Sequence, residues 1–283
     1  MPIFNNILAG SSGQSTGYDI DQSLRFNDDD SAYLSATQKS GTTTTWTFSG
    51  WVKRCELSAQ NPIFTVGANN TNDFLLYFLQ STDVIDILVR SGSTIHGRLE
   101  TTQLFRDTSA WYHIVFVYDS TNATSSERMR LYINGERVTA FNTATYPSQN
   151  QVSVVNNSSY TMYLGQLRGS ADSNFDGYLA EVNLIDGQAL TPASFGETNS
   201  DTNQWIAKKY AGSYGTNGFY LPFSNTELNN FVDSSSSSHA ITANGNVVNS
   251  RAQEKIGTSS IKFDGTGDYL SIPNSSDFSR HIY

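Results

Sequence analysis

Apolar and polar side chains alternate along several short segments of this chain, most regularly in "TWTFSGWVKR", residues Thr45–Arg54. One face of that segment would carry Trp46, Phe48, Gly50 and Val52, and the other Thr47, Ser49, Trp51 and Lys53. Alternation with a period of two is the pattern of an extended strand that buries one face. The segment is therefore predicted to be a β-strand.

A second segment, "WYHIVFVYD" at residues 111–119, is apolar on both alternating faces. A strand with both faces covered lies inside a sheet rather than at its edge, so this segment is predicted to be a central strand. Two further apolar runs of strand length, "DFLLYFLQ" at 73–80 and "DILVRS" at 86–91, lie between these two segments.

Turn signals punctuate the later strands. In "MRLYINGERV", residues 129–138, the pair Asn134-Gly135 tolerates the positive φ of a tight turn and predicts a β-hairpin. Strands are also predicted within 160–166 and 175–190. In "TPASFGE" Thr191 is the predicted N-cap and Pro192 the first residue of a single helical turn.

Composition supports an all-β fold. The 283 residues are 37% hydrophobic and 12% aromatic, which is enough to bury a large core, and the chain lacks long runs of helix-forming residues. The net charge of -9 would repel phosphate backbones, and no basic cluster exceeds the pair Lys208 and Lys209. We therefore expect no nucleic acid among the partners.

The single cysteine, Cys55, excludes an internal disulfide and a cysteine-rich zinc site. No segment approaches the ~20 apolar residues that span a bilayer, so no membrane insertion is expected. The first 22 residues lack the charged start and apolar run of a signal peptide, which leads us to expect synthesis in a host cytoplasm.

Six blocks of the sequence, in order, carry a family resemblance: "SLRFNDDDSAYLS", "TFSGWVKR", "WYHIVFVYD", "RLYINGERV", "MYLGQ" and "FDGYLAEVNLIDGQALTPASF". Over residues 23–197 the chain resembles laminin-G-like, concanavalin-A-like jelly-roll domains. Its particular variant is similar to domains in structural proteins of marine and cyanobacterial phages, described as tail fibres or head fibres. The resemblance implies an antiparallel sandwich of two β-sheets, often used to bind carbohydrate or protein.

The predicted organisation has four parts. Residues 1–22, rich in Gly and Ser, would form an arm, 23–197 the sandwich, and 198–216 a linker. Residues 217–283 read as the opening strands of a second similar unit, because "SIKFDGTGDYLS" at 260–271 repeats the pattern of "SLRFNDDDSAYLS" at 23–35. This part could belong to a longer protein, donate strands to another chain or to the first domain, or form a degenerate cap.

Catalytic motifs are not evident. Glucanases of this superfamily need carboxylates at alternate strand positions, but Asp86 in "DVIDIL" is flanked at those positions by Val84 and Leu88. Glu181 lies five residues from both Asp176 and Asp186, out of register with them. The four histidines show no metal-ligand spacing, and there is no GxSxG elbow. The chain is therefore predicted not to be an enzyme.

Candidate binding residues fall in loops and in the linker. Aromatic rings stack on the apolar faces of sugars, and amide side chains bind sugar hydroxyls. The candidates for glycan binding are Trp205, Tyr210, Tyr214, Asn70, Asn72, Tyr146 and Gln149. No cofactor is required by the sequence, although Asp28 and Asp30 in "NDDD" are candidate calcium ligands.

The leading functional hypothesis is a non-enzymatic virion protein, a tail fibre, spike or head fibre, that presents a lectin-like sandwich for host attachment or particle decoration. Its arm would dock on other virion proteins, its sandwich would meet a host-surface glycan or receptor, and by family analogy it would form a homotrimer. The alternatives are a bacterial cell-surface carbohydrate-binding or adhesion module and, less well supported, a glycan-degrading enzyme.

Overall fold

Strands account for most of the regular structure in a computed structural model of the protein, which describes Tyr18, Ile20 and residues 22–223, 232–245 and 248–250. The first ten strands are β1 (Ser23–Phe26), β2 (Tyr33–Thr37), β3 (Thr45–Arg54), β4 (Asn61–Asn69), β5 (Asn72–Phe78), β6 (Val84–Ser91), β7 (Thr94–Leu104), β8 (Tyr112–Asp119), β9 (Met129–Ile133) and β10 (Glu136–Arg137). The remaining ten are β11 (Phe141–Thr145), β12 (Thr161–Leu164), β13 (Gln166–Leu167), β14 (Ser170–Asn174), β15 (Gly177–Asp186), β16 (Gly196–Thr198), β17 (Trp205–Ala207), β18 (Phe219–Leu221), β19 (Thr242–Asn244) and β20 (Val248–Ser250).

Helical structure in the described residues is limited to two 3-10 turns of three residues each, Ser125–Glu127 and Pro192–Ser194. Neither turn has the length or apolar character that a membrane-crossing helix needs.

Two antiparallel sheets form the sandwich. The first sheet has the order β10-β9-β8-β3-β15-β1-β20, with β18 also paired to β15, and the second has the order β11-β7-β6-β5-β4-β12-β2-β19. A two-stranded ribbon, β16 and β17, and a second, β13 and β14, lie outside these sheets. The predicted all-β, two-sheet antiparallel architecture is confirmed.

Aromatic side chains fill the space between the sheets. Phe48 of the first sheet stacks on Phe64 of the second with centroids 5.0 Å apart, and Trp46 meets Phe74 edge-on at 4.8 Å. All four rings are fully buried. Such contacts, together with the area they remove from water, supply the main stabilisation that a chain without disulfides requires.

The strand predictions are confirmed in detail. β3 buries Trp46, Phe48 and Val52 in the core, and β8 pairs with β3 on one side and β9 on the other. The β9–β10 hairpin turns through Asn134 and Gly135 with φ of 49° and 85°. The last prediction, a helical turn, is the 3-10 turn Pro192–Ser194, capped at Thr191 without a side-chain hydrogen bond.

The sandwich extends beyond the predicted boundary at residue 197. β19 pairs with β2 at the edge of the second sheet, β20 pairs with β1 at the edge of the first, and β18 pairs with β15. The described strands of 217–283, β18, β19 and β20, thus pair with strands of the first domain. Added strands satisfy backbone groups that an edge would leave unpaired. The "SIKFDGTGDYLS" repeat lies outside the described residues.

A buried carboxylate fixes the returning chain. Asp233 is 4% exposed and accepts backbone hydrogen bonds from Tyr220 (3.0 Å), Ser235 (2.9 Å) and His239 (2.8 Å). The charge-assisted bond from Tyr220 holds the segment after β18 against the sandwich, and the other two fix the turn within that segment.

The predicted linker, 198–216, packs on the outer face of the first sheet, the face turned away from the core. Phe195 and Tyr214 join Val115, Val117 and Ile185 in a second apolar cluster there. The outward apolar residues of β8 and β15 need such a cover, which is why this segment is not an extended spacer.

Of the predicted arm, Tyr18, Ile20 and Gln22 are described. The Tyr18 hydroxyl lies 2.7 Å from that of Tyr220, which donates to the Glu181 carboxylate at 2.8 Å. Glu181 has φ of 50° and sits where the β15–β3 register shifts, a β-bulge that separates the part of β15 paired with β1 from the part paired with β18. The end of the arm thus contacts its own sandwich.

Candidate functional site

Three of the four tryptophans of the chain line one depression on the outer face of the first sheet. The depression has a volume of about 520 Å³. Its lining residues are Trp51, Trp111, Asn134, Glu136, Thr198, Asn203, Gln204 and Trp205. Indole rings and amide or carboxylate groups therefore converge on one open surface, which is the combination that ligand sites favour.

Strand periodicity places Trp51 in this depression. Trp46 and Trp51 are five residues apart in β3, an odd spacing, so they point to opposite faces of the sheet. Trp46 is in the core and Trp51 is half-buried outside it. The Trp51 indole N–H is buried without a hydrogen-bond partner among the described residues. A donor left in this state costs roughly 1–3 kcal/mol.

His113 of β8 joins two of the tryptophans in a stack. Its ring centroid lies 4.9 Å from that of Trp51 and 6.0 Å from that of Trp205, with both ring pairs inclined at 24°. Trp205 Nε1 donates to His113 Nδ1 at 2.9 Å, and His113 Nε2 lies 2.9 Å from Ser49 Oγ. Because an indole nitrogen only donates, Nδ1 carries no proton and the Nε2–H tautomer donates to Ser49.

Burial keeps this imidazole neutral. His113 is 1% exposed, and desolvation lowers its pKa to about 3. The neutral ring accepts the Trp205 hydrogen bond at any physiological pH. His113 therefore fixes the orientation of the Trp205 indole, with both of its ring nitrogens hydrogen-bonded.

Two glycines let the Trp205 indole lie flat against its neighbours. A Cβ atom on Gly196 would come 2.4 Å from the indole, and one on Gly135 would come 2.5 Å from it. Gly135 also needs its positive φ of 85° for the hairpin turn. The β9–β10 hairpin and the β16–β17 ribbon thus form the two walls that hold Trp205.

The rim of the depression is polar. Glu136, Thr198 and Gln204 are exposed, and Glu136 makes no salt bridge within the described part of the chain. Asn134 Oδ1 accepts the backbone N–H of His113 at 2.8 Å, which fixes the orientation of its amide. Carboxylate, amide and hydroxyl groups around aromatic rings can bind hydroxyl groups of a ligand that stacks on the rings.

Of the predicted glycan-binding residues, only Trp205 lines this depression. Tyr214 is 8% exposed and its hydroxyl donates to Asn183, so its ring is not an open platform. Tyr210 is half-buried, packs between Phe195 and Tyr214, and donates to the Ser213 carbonyl. Both tyrosines cover the apolar outer face of the first sheet.

The loop candidates lie apart from the depression. The Asn70 carbonyl accepts from Arg90, and Asn72 Oδ1 accepts the Gly92 N–H at 2.9 Å, so both asparagines brace turns at one end of the second sheet. Tyr146 packs against the core, and Gln149 donates to the Thr121 carbonyl at 3.1 Å. The structure does not bring these four residues together with Trp205.

The calcium candidates lie in a turn between β1 and β2. Asn27 donates to Asp30 Oδ2 at 2.9 Å, and neither Asp28 nor Asp30 belongs to a group that could hold a metal, since the described residues contain no such cluster of three His, Cys, Asp or Glu side chains.

Asp86, weighed above as a catalytic carboxylate, lies on the outer face of the second sheet. It is fully buried, accepts Tyr77 Oη at 2.6 Å and is bound in bidentate fashion by Arg98 at 3.0 Å. Arg98 also reaches Glu100 at 2.9 Å. Burial and the neighbouring carboxylate raise the pKa of Tyr77. Every oxygen of Asp86 is thus occupied by a donor of the same sheet.

Sequence reasoning missed Trp51 and Trp111 as site residues. The signal for Trp51 was available in the odd spacing from Trp46, because one core strand cannot bury both rings on the same side. Trp111 precedes β8 by one residue, so alternation places it on the face of His113 and in the row next to Trp51. Only the fold shows that the β16–β17 ribbon brings Trp205 to them.

A two-sheet antiparallel sandwich with an aromatic depression on one outer face is the fold of a lectin-like domain. The concanavalin A-like lectin/glucanases superfamily, in its laminin-G-type form, matches residues 27–194. The chain belongs to this family.

Several solved structures are similar to this chain at low sequence identity. A putative carbohydrate binding protein from Bacteroides ovatus is 16% identical, with a TM-score of 0.54 over 82% of this chain and 60% of that one. A pentraxin from Limulus polyphemus is 16% identical, with a TM-score of 0.46 over 72% of this chain and 96% of that one. The enzymatically active domain of bacteriophage CBA120 tailspike protein 2 is 12% identical, with a TM-score of 0.42 over 66% of this chain and 31% of that one. No curated protein matches the chain.

Proposed function

We propose that the sandwich is a non-catalytic glycan-binding module and that the tryptophan depression is its binding site. The observation that carries the proposal is the convergence of Trp51, Trp111 and Trp205 with amide side chains on an open face of a rigid sheet. Aromatic faces bury the C–H-rich faces of sugars, while amides and carboxylates bind the hydroxyl groups.

The absence of catalysis is part of the same proposal. Two carboxylates free to act as acid and base, or as nucleophile and acid, are needed to cleave a glycosidic bond. Asp86 is held by Arg98 and Tyr77, and Glu181 accepts from Tyr220. Among the described residues Glu136 is the carboxylate that lines the depression, and one lining carboxylate supports binding rather than hydrolysis.

The setting that we propose is the surface of a phage particle, as a tail fibre, spike or head fibre. The support is the resemblance of the sequence blocks over residues 23–197 to phage structural proteins. The arm, residues 1–22, would dock on other virion proteins, and a homotrimer would raise avidity for a host glycan or receptor. Labelling particles with an antibody to the sandwich, and measuring the mass of the purified protein, test this setting. Confinement to a bacterial cell surface would replace it with the adhesion-module alternative.

Binding is tested by titrating purified wild-type protein with host-surface polysaccharide and with a glycan array. Trp51→Ala removes a half-buried ring from the site, and we expect a loss of affinity of about tenfold or more. Tyr33→Ala is the matched control, because Tyr33 is a half-buried ring on the outer face of the other sheet, 6.1 Å from Tyr163. Equal losses in both variants would contradict the assignment, and release of shorter oligosaccharides by wild type would show an enzyme.

A further inference from the structure

A row of side chains crosses the first sheet next to the depression. Lys53 of β3 is registered opposite Tyr178 of β15, and Tyr178 is registered opposite Arg25 of β1. On the other side of β3, His113 of β8 is registered opposite Trp51. Because the two strands are antiparallel, Trp111, two residues before His113, lies opposite Lys53, two residues after Trp51. The row therefore reads Trp111, Lys53, Tyr178, Arg25 across four neighbouring strands or their extensions.

The two rings of this row contact each other over the lysine. Trp111 and Tyr178 have centroids 6.3 Å apart, inclined at 56°. Lys53 Nζ lies 6.0 Å and Arg25 Cζ 5.3 Å from the Tyr178 centroid. All four side chains are half-buried, so each retains a surface that faces solvent.

Trp111 belongs both to the depression and to this row, which makes the two surfaces continuous. From β8 to β15 the row spans two strand spacings, about 10 Å. Trp205 and the β16–β17 ribbon extend the surface further in the direction of β9. One pyranose ring cannot cover both Trp205 and Tyr178.

The charges along this surface do not favour an anionic ligand. Arg25 is neutralised by its salt bridge with Asp176, and Lys53 is the cation of this row that makes no salt bridge with a described residue. Glu136 at the depression and Asp107, whose carboxylate interacts with Lys53, carry negative charge at the same face. A carboxylated or sulfated sugar would meet at least as much repulsion as attraction.

We propose that Trp111 and Tyr178, with the Lys53 ammonium beside the Tyr178 ring, form a second subsite, and that the site takes an uncharged oligosaccharide of two or more sugar units rather than a single sugar. This inference rests on the proposed function. The rings of the row supply a second stacking platform, and Lys53 donates hydrogen bonds to ring or hydroxyl oxygens.

The test is calorimetric titration with ladders of uncharged gluco-, galacto-, manno- and N-acetylglucosamine oligosaccharides of one to six units. We expect the affinity of wild type for at least one ladder to rise about tenfold or more from one unit to three. Tyr178→Ala should remove most of that rise, so that its affinities for one unit and for three units become similar. Tyr178→Phe keeps the ring and should restore the rise.

Lys53→Ala provides a second variant that does not remove a ring, and it should weaken the longer sugars severalfold. Thermal unfolding of each variant checks that it is folded. Equal affinity for one unit and three in wild type would overturn the second subsite while leaving the proposed function intact, as would tighter binding of sulfated or uronic-acid oligosaccharides on the array. Failure to bind any glycan would overturn the proposed function itself, and this inference with it.

Discussion

The outer faces of the two sheets both carry polar and aromatic residues, but they use them differently. On the second sheet Asp86, Arg98, Tyr77 and Glu100 satisfy one another. On the first sheet the stack of Trp51, His113 and Trp205 uses its internal hydrogen bonds to position rings whose outer surfaces stay open. A cluster whose groups are all mutually bound contributes to folding, whereas a cluster that leaves rings and donors unused can bind a ligand.

The largest effect should come from breaking the network of the second sheet. Asp86→Ala leaves Tyr77 without an acceptor and Arg98 without its buried partner, and we expect a loss of about 3 kcal/mol in the free energy of unfolding. Chemical denaturation measures it. Glu100→Gln is the control, because Glu100 is partly exposed and its neutral amide should cost less than about 1 kcal/mol. If Asp86→Ala, once folded, also abolished glycan binding, the contrast between the two faces would fail.

The second largest effect should be on the pH dependence of the free energy of unfolding, through His113 on the outer face of the first sheet. The pKa of His113 is lowered to about 3 in the folded protein from an ordinary value near 6.5, so the unfolded state binds its proton first as pH falls. Stability is therefore lost between pH 6.5 and 3, and a fall from pH 7.5 to pH 5 should cost about 2 kcal/mol through this group.

His113→Phe removes that proton site, so its stability should change less with pH over this interval than that of wild type. The other histidines are present in both proteins, so they contribute equally to the pH dependence of stability in each. Identical pH slopes, measured by denaturation at each pH, would show that His113 is not the group responsible.

The smallest effect is expected for a substitution at Gly196, which packs against the Trp205 indole. Gly196→Ala places a methyl group against the indole without requiring a positive φ, so it should displace Trp205, cost about 1–2 kcal/mol of stability and lower glycan affinity severalfold. Gly50→Ala is the matched control, since a Cβ there meets neighbours no closer than 3.5 Å. Unchanged affinity in Gly196→Ala would mean that the position of Trp205 does not matter to binding.

Much of the fold could be predicted from local patterns. The alternation in β3, the two-sided apolar pattern of β8 and the Asn134-Gly135 turn each depend on neighbouring residues, and each is found where expected. The roles of residues 198–250 could not be predicted in this way. Short strands such as β17 and β18 are fixed by the sheet they pack on or pair with, not by their own sequence.

The candidate site could be predicted only in part, because the local sequence does not show where a segment packs on the fold. Trp205 was selected because it sits among polar residues, but Tyr210 and Tyr214, chosen on the same ground, cover apolar positions such as Val117 and Ile185. An aromatic ring in a polar segment either binds a ligand or shields a sheet, and only the location of the segment on the fold separates the two uses.

The pairing of β1 with β20 has a mechanical consequence. Ser23, the first residue of β1, is registered opposite Ser250, the last residue of β20. A tension applied to the flanking chain on both sides would first break the Tyr18–Tyr220 hydrogen bond, then separate this pair, and then open the remaining hydrogen bonds between β1 and β20 one after another. The load would be taken up by an edge strand, while β3, β8 and β15, which carry the tryptophan surface, would stay paired until that edge had opened.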